Sequence, residues 1–273
     1  KLVTDRPVNH EIHLNLPVEH FFLGIVIASI AGLLIWANLL RWPSNQFFPI
    51  WSIQLSQSAD LFAQPLLQTC LIGVSSSIFS ILIAVWVLEC RLQKNIKYIH
   101  IVWWCCLWIP TLSFSSGLLA WMFVFGVPPS IFPVLLAHTL IGTPFALMML
   151  SESWYARDQR MAILVKQSGR SKLWAVTFLW IPKMSDTFLL TFAVCFSVSC
   201  SLYTQTVILG GGRVTTLMTE LVSYGIGDRR LASLAALLNT FLPLLCFAFT
   251  ASLSRLLWRH RLGMQGAGVA IVR

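Results

Sequence analysis

Six long, nearly continuous apolar runs dominate this chain and limit what it can fold into. They cover residues 21–40, 66–88, 101–125, 131–150, 187–208 and 231–254. Each is long enough to cross a membrane as a helix, since about 20 apolar residues span a hydrocarbon core of about 30 Å. Composition agrees, because 57% of the 273 residues are hydrophobic and only 11% are charged. We therefore predict an all-α polytopic membrane protein with six transmembrane helices.

The lysine and arginine residues predict how these helices are oriented. Basic residues are retained on the cytoplasmic side during insertion, and with both termini cytoplasmic only four of the 19 fall in outer segments. Those four are Arg41, Arg213, Arg229 and Arg230. The net charge of +9 is then explained by inner loops that face anionic membrane lipid, so no nucleic-acid partner is expected.

The apolar runs divide the chain into three parts. Residues 1–20 are polar, and we interpret them as a cytoplasmic leader or as a linker from a preceding half of a longer polypeptide, since the sequence starts at Lys1. Residues 21–262 hold the six-helix domain, with a large inner loop at residues 151–186. Residues 263–273 are expected to form a cytoplasmic tail.

The sequence carries no pattern typical of a catalytic or metal site. The seven cysteines lie in or at the ends of apolar runs without a CxxC pair, which favours free thiols over disulfides or zinc ligands. The middles of the runs carry no charged residue, which disfavours transport driven by protons or sodium ions. "GGGRVTT", residues 210–216, lacks the GK[ST] ending of a phosphate-binding loop, so we interpret it as a flexible turn.

Four residues inside the runs are candidates to line a transport pathway: His138, Pro144, Gln205 and Asn239. No carboxylate lies at a neighbouring helical position to orient His138, which favours a structural or pathway-lining role over catalysis. Each of the polar side chains also fits a hydrogen bond between helices, and the sequence leaves both alternatives open.

Prolines and small residues predict the shapes of the helices. Interior proline removes a backbone hydrogen bond, and in lipid such a break survives where neighbouring helices or a water-lined cavity satisfy the freed groups. The prolines expected inside helices are Pro110, Pro133, Pro144 and Pro243. Small residues in "GVSSS", residues 73–77, predict that a neighbouring helix approaches closely.

The inner loop contains a basic, glycine-centred segment, "KQSGRSKLWAVTFLWIP", at residues 166–182. In a helix before this glycine, Met161, Leu164 and Val165 share one face, while Ile163 lies on the polar face. Gly169 is expected to end this helix with a positive φ. An apolar stretch then leads to Pro182 and the next run.

Gly169 followed thirteen positions later by Pro182, with apolar residues just before the proline, resembles the cytoplasmic EAA loop of ABC importer permeases. "LAHTLIGTPFALMML" in the fourth run looks like the matching helix of that family. "LGGGRVTTLMTEL" and "GDRRLASLAALL" are similar to the thiamine, ferric-iron and sulfate branch. The likeness covers roughly residues 60–260.

The resemblance implies a permease subunit of the bacterial inner membrane that holds no cofactor and no ATPase site of its own, since ATP is bound by partner subunits. It implies three kinds of protein partner: ABC ATPase subunits, a second permease half that is an identical copy or a fused related domain, and a soluble solute-binding protein. The loop around Gly169 would couple to the ATPase, and residues 41–65 and 209–230 would form the outer docking surface. The branch implies a thiamine-like compound, ferric iron or a small oxyanion as solute.

The named motif departs from the family, because Ile163, Leu164 and Val165 stand where Glu-Ala-Ala is usual. Our hypothesis is that Ile163 docks by burial. Burying an isoleucine is worth about 1.5–3 kcal/mol, which is comparable with a hydrogen bond to a charged group at about 1.5–3 kcal/mol.

Two alternatives share the apolar runs. One is a membrane scaffold that transports nothing, which would have no need of the glycine-centred loop. The other is an integral-membrane enzyme with a site at the membrane interface, for which Glu89, Glu152 and His100 are the candidate groups.

Overall fold

The computed structural model describes residues 24, 27–33, 50–94, 108–156, 167, 169, 171, 174, 176–227 and 229–259. Within these ranges the secondary structure is helical and no strand occurs. The helices are α1 (Ile50–Lys94), α2 (Thr111–Val124), α3 (Ile131–Tyr155), α4 (Ser185–Ser201), α5 (Tyr203–Gly210), α6 (Leu217–Gly227) and α7 (Arg229–Arg259). A π-helical turn, Val176–Trp180, and a single α-turn, Ile181–Lys183, lead into α4.

The described helices are suited to multi-pass membrane insertion, which confirms the prediction of an all-helical membrane protein. Three stretches are long and apolar enough to cross a membrane: Leu61–Cys90, Ile131–Tyr155 and Leu231–Leu256. The pair α4 and α5 counts as a fourth span if a bent helix is accepted. Six spans and two cytoplasmic termini stay predictions, since most of residues 21–40 and residues 101–107 lie outside the described ranges.

Helix α1 is longer than predicted, because it begins at Ile50 and continues through Pro65. This corrects the expectation of an outer loop for residues 50–65, which are helical, while residues 41–49 lie outside the described ranges. Phe62, one turn before the proline, is buried together with Leu217 and Ala235, so packing favours helix on both sides of Pro65. The Thr69 hydroxyl donates to the Pro65 carbonyl oxygen at 2.7 Å.

Two of the four prolines expected inside helices lie instead at helix starts. Pro110 is the N-cap of α2, and Pro133 is the third residue of α3. The first turn of a helix has no intrahelical acceptor for its N–H groups, so proline removes no bond there. Pro144 and Pro243 are interior, as expected.

Helices α1, α3 and α4 pack against one another, and two glycines lie where the neighbouring helix is close. A Cβ atom on Gly73 would lie 2.7 Å from Cε2 of Phe196 in α4. A Cβ atom on Gly142 of α3 would lie 2.6 Å from the Ser80 hydroxyl oxygen of α1. The close approach that "GVSSS" predicts is therefore confirmed.

Two apolar clusters occupy opposite ends of this three-helix unit. The loop-end cluster, next to the segment before α4, comprises Ala84, Val87, Leu88, Ala146, Leu147, Leu150, Trp154 and Cys195. The turn-end cluster comprises Ile72, Val134, Ala137, Leu209 and Val214. The polar residues described below lie between these clusters along α1 and α3.

The "GGGRVTT" segment forms a turn, as predicted, and hydrogen bonds attach it to α1. Gly211 and Gly212 have φ of 55° and 76°, a region that favours glycine. The Thr215 N–H donates to Oε1 of Gln68 at 2.8 Å, and the Leu217 N–H donates to the Thr69 hydroxyl at 2.9 Å. The α6 helix that follows is thus fixed on α1.

Candidate functional site

The span formed by α4 and α5 is broken in its interior. The two helices meet at Leu202 with their axes bent by 62°, and Leu202 has φ −81° and ψ 86°. A break within hydrocarbon interrupts the backbone hydrogen bonds of a helix, so neighbouring polar groups have to satisfy the freed groups. The residues around Leu202 show how this is done.

His138 of α3 bridges the two sides of the break. Its Nδ1 lies 2.7 Å from the Ser199 hydroxyl oxygen, one turn before the break, and its Nε2 lies 3.1 Å from the Thr206 hydroxyl oxygen beyond it. The Ser76 hydroxyl of α1 donates to the Ser199 hydroxyl oxygen at 3.2 Å. All four side chains are buried. We call this group, Ser76, His138, Ser199 and Thr206, the His138 clasp.

The hydrogen bonds of the clasp fit a neutral His138. When the Thr206 hydroxyl donates its proton to the Leu202 carbonyl oxygen at 2.7 Å, it accepts from Nε2 of His138, which then carries the imidazole proton. Nδ1 of the neutral ring is then an acceptor for the Ser199 hydroxyl. A neutral histidine therefore satisfies both sides of the break at once.

The other predicted pathway residues are placed differently. Gln205 lies in α5 next to Thr206 and is 1% exposed, and its Nε2 has no hydrogen-bond partner among the described residues. Asn239 of α7 is half-buried and donates to the Met218 sulfur at 3.7 Å, while its Oδ1 is without a partner in the described part. Pro144 is buried in α3, six residues and therefore about 9 Å along the axis from His138.

The segment that enters α4 contacts the loop-end cluster. Val176, Met184 and Phe188 pack against that cluster, and the rings of Phe188 and Trp154 meet edge to face at 6.3 Å between centroids. The Ser153 and Thr187 hydroxyl oxygens are 3.1 Å apart. These contacts join the start of α4 to the end of α3.

The predicted coupling residues are described in part. Gly169 forms an exposed turn with φ of 69°, which agrees with the expected positive φ. Pro182 lies in the single α-turn before α4. Met161, Ile163, Leu164 and Val165 lie outside the described residues, so their role stays a prediction.

Ionisable groups are sparse in the described structure. Lys183 has its Nζ 6.0 Å from the centre of the Trp180 ring, and the Ser254 hydroxyl of α7 donates to Oδ1 of Asp186. Among the described residues no three His, Cys, Asp or Glu side chains are grouped as metal ligands. Of the candidate enzyme groups, Glu89 is half-buried and Glu152 exposed, and His100 lies outside the described ranges.

The bent span and the helices around it belong to a multi-pass arrangement of apolar helices, and this arrangement has a counterpart among solved ABC transporter structures. The fold is similar to that of a chain in the inward-facing MetNI methionine ABC transporter, with a TM-score of 0.56 and 15% sequence identity over 74% of this chain and 98% of that chain.

A curated relative supports the same class by sequence. Over 215 residues the chain is 26% identical to the inner membrane ABC transporter permease protein YnjC of Escherichia coli K12, an alignment that covers 77% of this chain. The chain spans only 41% of the length of that relative. No protein-family model matches the sequence. The predicted resemblance is thereby confirmed for ABC transporter permeases in general, while the thiamine, iron and sulfate branch stays a prediction.

Proposed function

We propose that this chain is the transmembrane permease subunit of an ABC importer in a bacterial inner membrane. In this function it forms the translocation pathway for a small solute delivered by a soluble binding protein. The observation that carries the proposal is the 215-residue similarity to an inner membrane ABC transporter permease. The shared fold adds to it, since 98% of a chain from the MetNI methionine ABC transporter structure is matched.

ATPase subunits bound at the Gly169 segment would supply the driving force. The support is mechanical, because Val176 and Met184, which lie between Gly169 and α4, pack on the loop-end cluster together with Phe188 of α4. A displacement of that segment would therefore move the start of α4 together with the end of α3. Closing two ATPase subunits would then convert an inward-open pathway into an outward-open one.

A second permease half would complete the pathway, either as a copy of this chain or as a related fused domain. The aligned stretch is 41% of the E. coli relative, so the rest of that protein has room for another half of similar size. The binding protein would dock where α6 is fixed on α1 through Gln68 and Thr69. Its cargo, in this proposal, is a thiamine-like compound, ferric iron or a small oxyanion.

The test is co-purification of the tagged chain from gently solubilised native membranes, with bound subunits identified by mass spectrometry. The variant is Gly169→Val and the matched control is Gly126→Val. Both glycines have φ of 69°, and a Cβ atom added at either would meet no other atom within 4 Å. Both substitutions therefore carry the same backbone strain of about 1–3 kcal/mol. Only Gly169 lies in the proposed coupling segment.

We expect wild type and Gly126→Val to retain an ABC ATPase and a second permease half. Gly169→Val should lose the ATPase and keep the second half. If wild type retains no ABC ATPase under conditions that keep another ABC importer intact, the proposed function is wrong. If all three chains retain the ATPase equally, the Gly169 segment is not the coupling site.

A further inference from the structure

The two ends of α4 contact the rest of the protein through different kinds of interaction. At its start, Met184 and Phe188 pack on the loop-end cluster by apolar contact. At its end, Ser199 joins the His138 clasp by hydrogen bonds. Helix α5 continues from the break at an angle of 62°, and the backbone that connects it to α4 is the single residue Leu202.

We propose that His138 is a positioning residue that makes α4 and α5 move as one rigid unit when the start of α4 is displaced. The proposal rests on the proposed function for the source of that displacement, namely the coupled ATPase. Without the clasp, α5 would still pack on α3 through Leu209, Val134 and Ala137, but the two hydrogen bonds that hold both sides of the break to one side chain would be lost. Leu202, the single residue between the helices, would then be the hinge. With the clasp, a third helix holds both sides of the hinge.

Histidine suits this role because one ring offers a donor and an acceptor on separate atoms. Nδ1 accepts from Ser199 and Nε2 donates to Thr206, and these two residues lie seven positions apart on opposite sides of the bend. The amide of an asparagine at position 138 reaches the position of one ring nitrogen only, and the amide of a glutamine reaches the position of the other only. Neither side chain is therefore expected to bond to both Ser199 and Thr206. Replacing the ring by alanine therefore removes the two hydrogen bonds that hold both sides of the hinge at Leu202.

The variant His138→Ala is expected to fold, since it leaves few buried groups stranded. The Thr206 hydroxyl keeps its bond to the Leu202 carbonyl oxygen at 2.7 Å. The Ser199 hydroxyl oxygen keeps the Ser76 hydroxyl as a neighbour at 3.2 Å. The matched control is Ser80→Ala, which removes a buried bond from α1 to the Thr139 carbonyl oxygen of α3 at 3.0 Å and does not touch the break.

The experiment measures distances between spin labels by pulsed electron resonance in the complete complex with its ATPase subunits, reconstituted in lipid nanodiscs. Native cysteines are replaced, and labels are attached at Leu190 of α4 and Val207 of α5, which are 45% and 39% exposed. A second pair, Leu190 and the 58% exposed Leu82 of α1, reports movement of α4 itself. Each pair is measured without nucleotide and after trapping with ATP and vanadate.

In the parent and in Ser80→Ala, the Leu190–Val207 distance should keep one narrow distribution in both states while the Leu190–Leu82 distance shifts. In His138→Ala a second Leu190–Val207 distance should appear. Each intramembrane hydrogen bond shifts an equilibrium about threefold, so losing two raises the population of the displaced form about ninefold. Thr206→Val removes the bond to Nε2 of His138 and also the bond to the Leu202 carbonyl oxygen, so it should raise the population at least about threefold.

Two further outcomes would overturn different claims, the positioning role of His138 and the proposed function. If His138→Ala keeps the single narrow Leu190–Val207 distribution in both states, the positioning role of His138 is wrong. If no chain shows a nucleotide-dependent Leu190–Leu82 shift, the proposed function fails, and the nucleotide-free Leu190–Val207 distributions still decide whether His138 holds the two helices together.

Discussion

Replacing Gly73 by alanine tests the packing on which the bent span depends. The new Cβ would lie 2.7 Å from Cε2 and 2.8 Å from Cδ2 of Phe196. Carbon atoms attract best at about 3.5–4.0 Å, so the ring and the helix have to separate by about 0.8 Å. Overpacking of this kind costs about 1–3 kcal/mol, and alanine returns about 0.5–1 kcal/mol of helix preference over glycine. We expect a net loss of between zero and about 2.5 kcal/mol in the free energy of unfolding.

The assay is SDS-induced unfolding of the purified chain in mixed micelles, followed by helical circular dichroism. Gly117→Ala is the control, because Gly117 of α2 has nothing within 4 Å of an added Cβ and should gain about 0.5–1 kcal/mol. In a Phe196→Ala background both ring atoms that would meet the added Cβ are gone, so Gly73→Ala should become neutral or stabilising. If Gly73→Ala stabilises wild type as Gly117→Ala does, the close contact between α1 and α4 is absent.

The remaining predictions concern two polar groups. Gln205→Leu should raise the free energy of unfolding by about 1–3 kcal/mol, because the change removes a buried donor that has no partner among the described residues. An unchanged or lowered midpoint in the same SDS titration would contradict this. Thr216→Ala should lower the local stability of α6 by about 0.5–2 kcal/mol, because the Thr216 hydroxyl accepts a hydrogen bond from the Thr219 N–H at 3.4 Å. Amide hydrogen exchange at residues 217–227 should then be faster than in wild type.

The features that follow from local rules could be predicted from the sequence. Continuous apolar runs marked the spans at Leu61–Cys90, Ile131–Tyr155 and Leu231–Leu256, since length and hydrophobicity suffice for that. Gly169 was expected to have a positive φ, and does at 69°, because glycine tolerates that conformation at helix ends. The small residues around Gly73 indicated close packing without naming the partner, which the structure identifies as Phe196.

The break at Leu202 could not be predicted in this way, because residues 196–206 contain neither proline nor glycine. Its cause is tertiary, in that His138 of α3 bonds to both sides of the bend. One signal was present, namely the concentration of serine, threonine and glutamine in "SVSCSLYTQT" within an apolar run. Similarly, Pro65 looked like a helix boundary, but burial of Phe62 before it continues α1.

The distance between α1 and α4 connects the packing at Gly73 to the His138 clasp. Gly73 and Phe196 lie one helical turn from Ser76 and Ser199, whose hydroxyl oxygens are 3.2 Å apart. A separation of about 0.8 Å would stretch that bond to about 4.0 Å, beyond hydrogen-bond range. The bonds from His138 come from α3 and need not lengthen. Gly73→Ala should therefore detach α1 from the clasp while His138 still holds α4 and α5, so the variant lowers stability without freeing the hinge at Leu202.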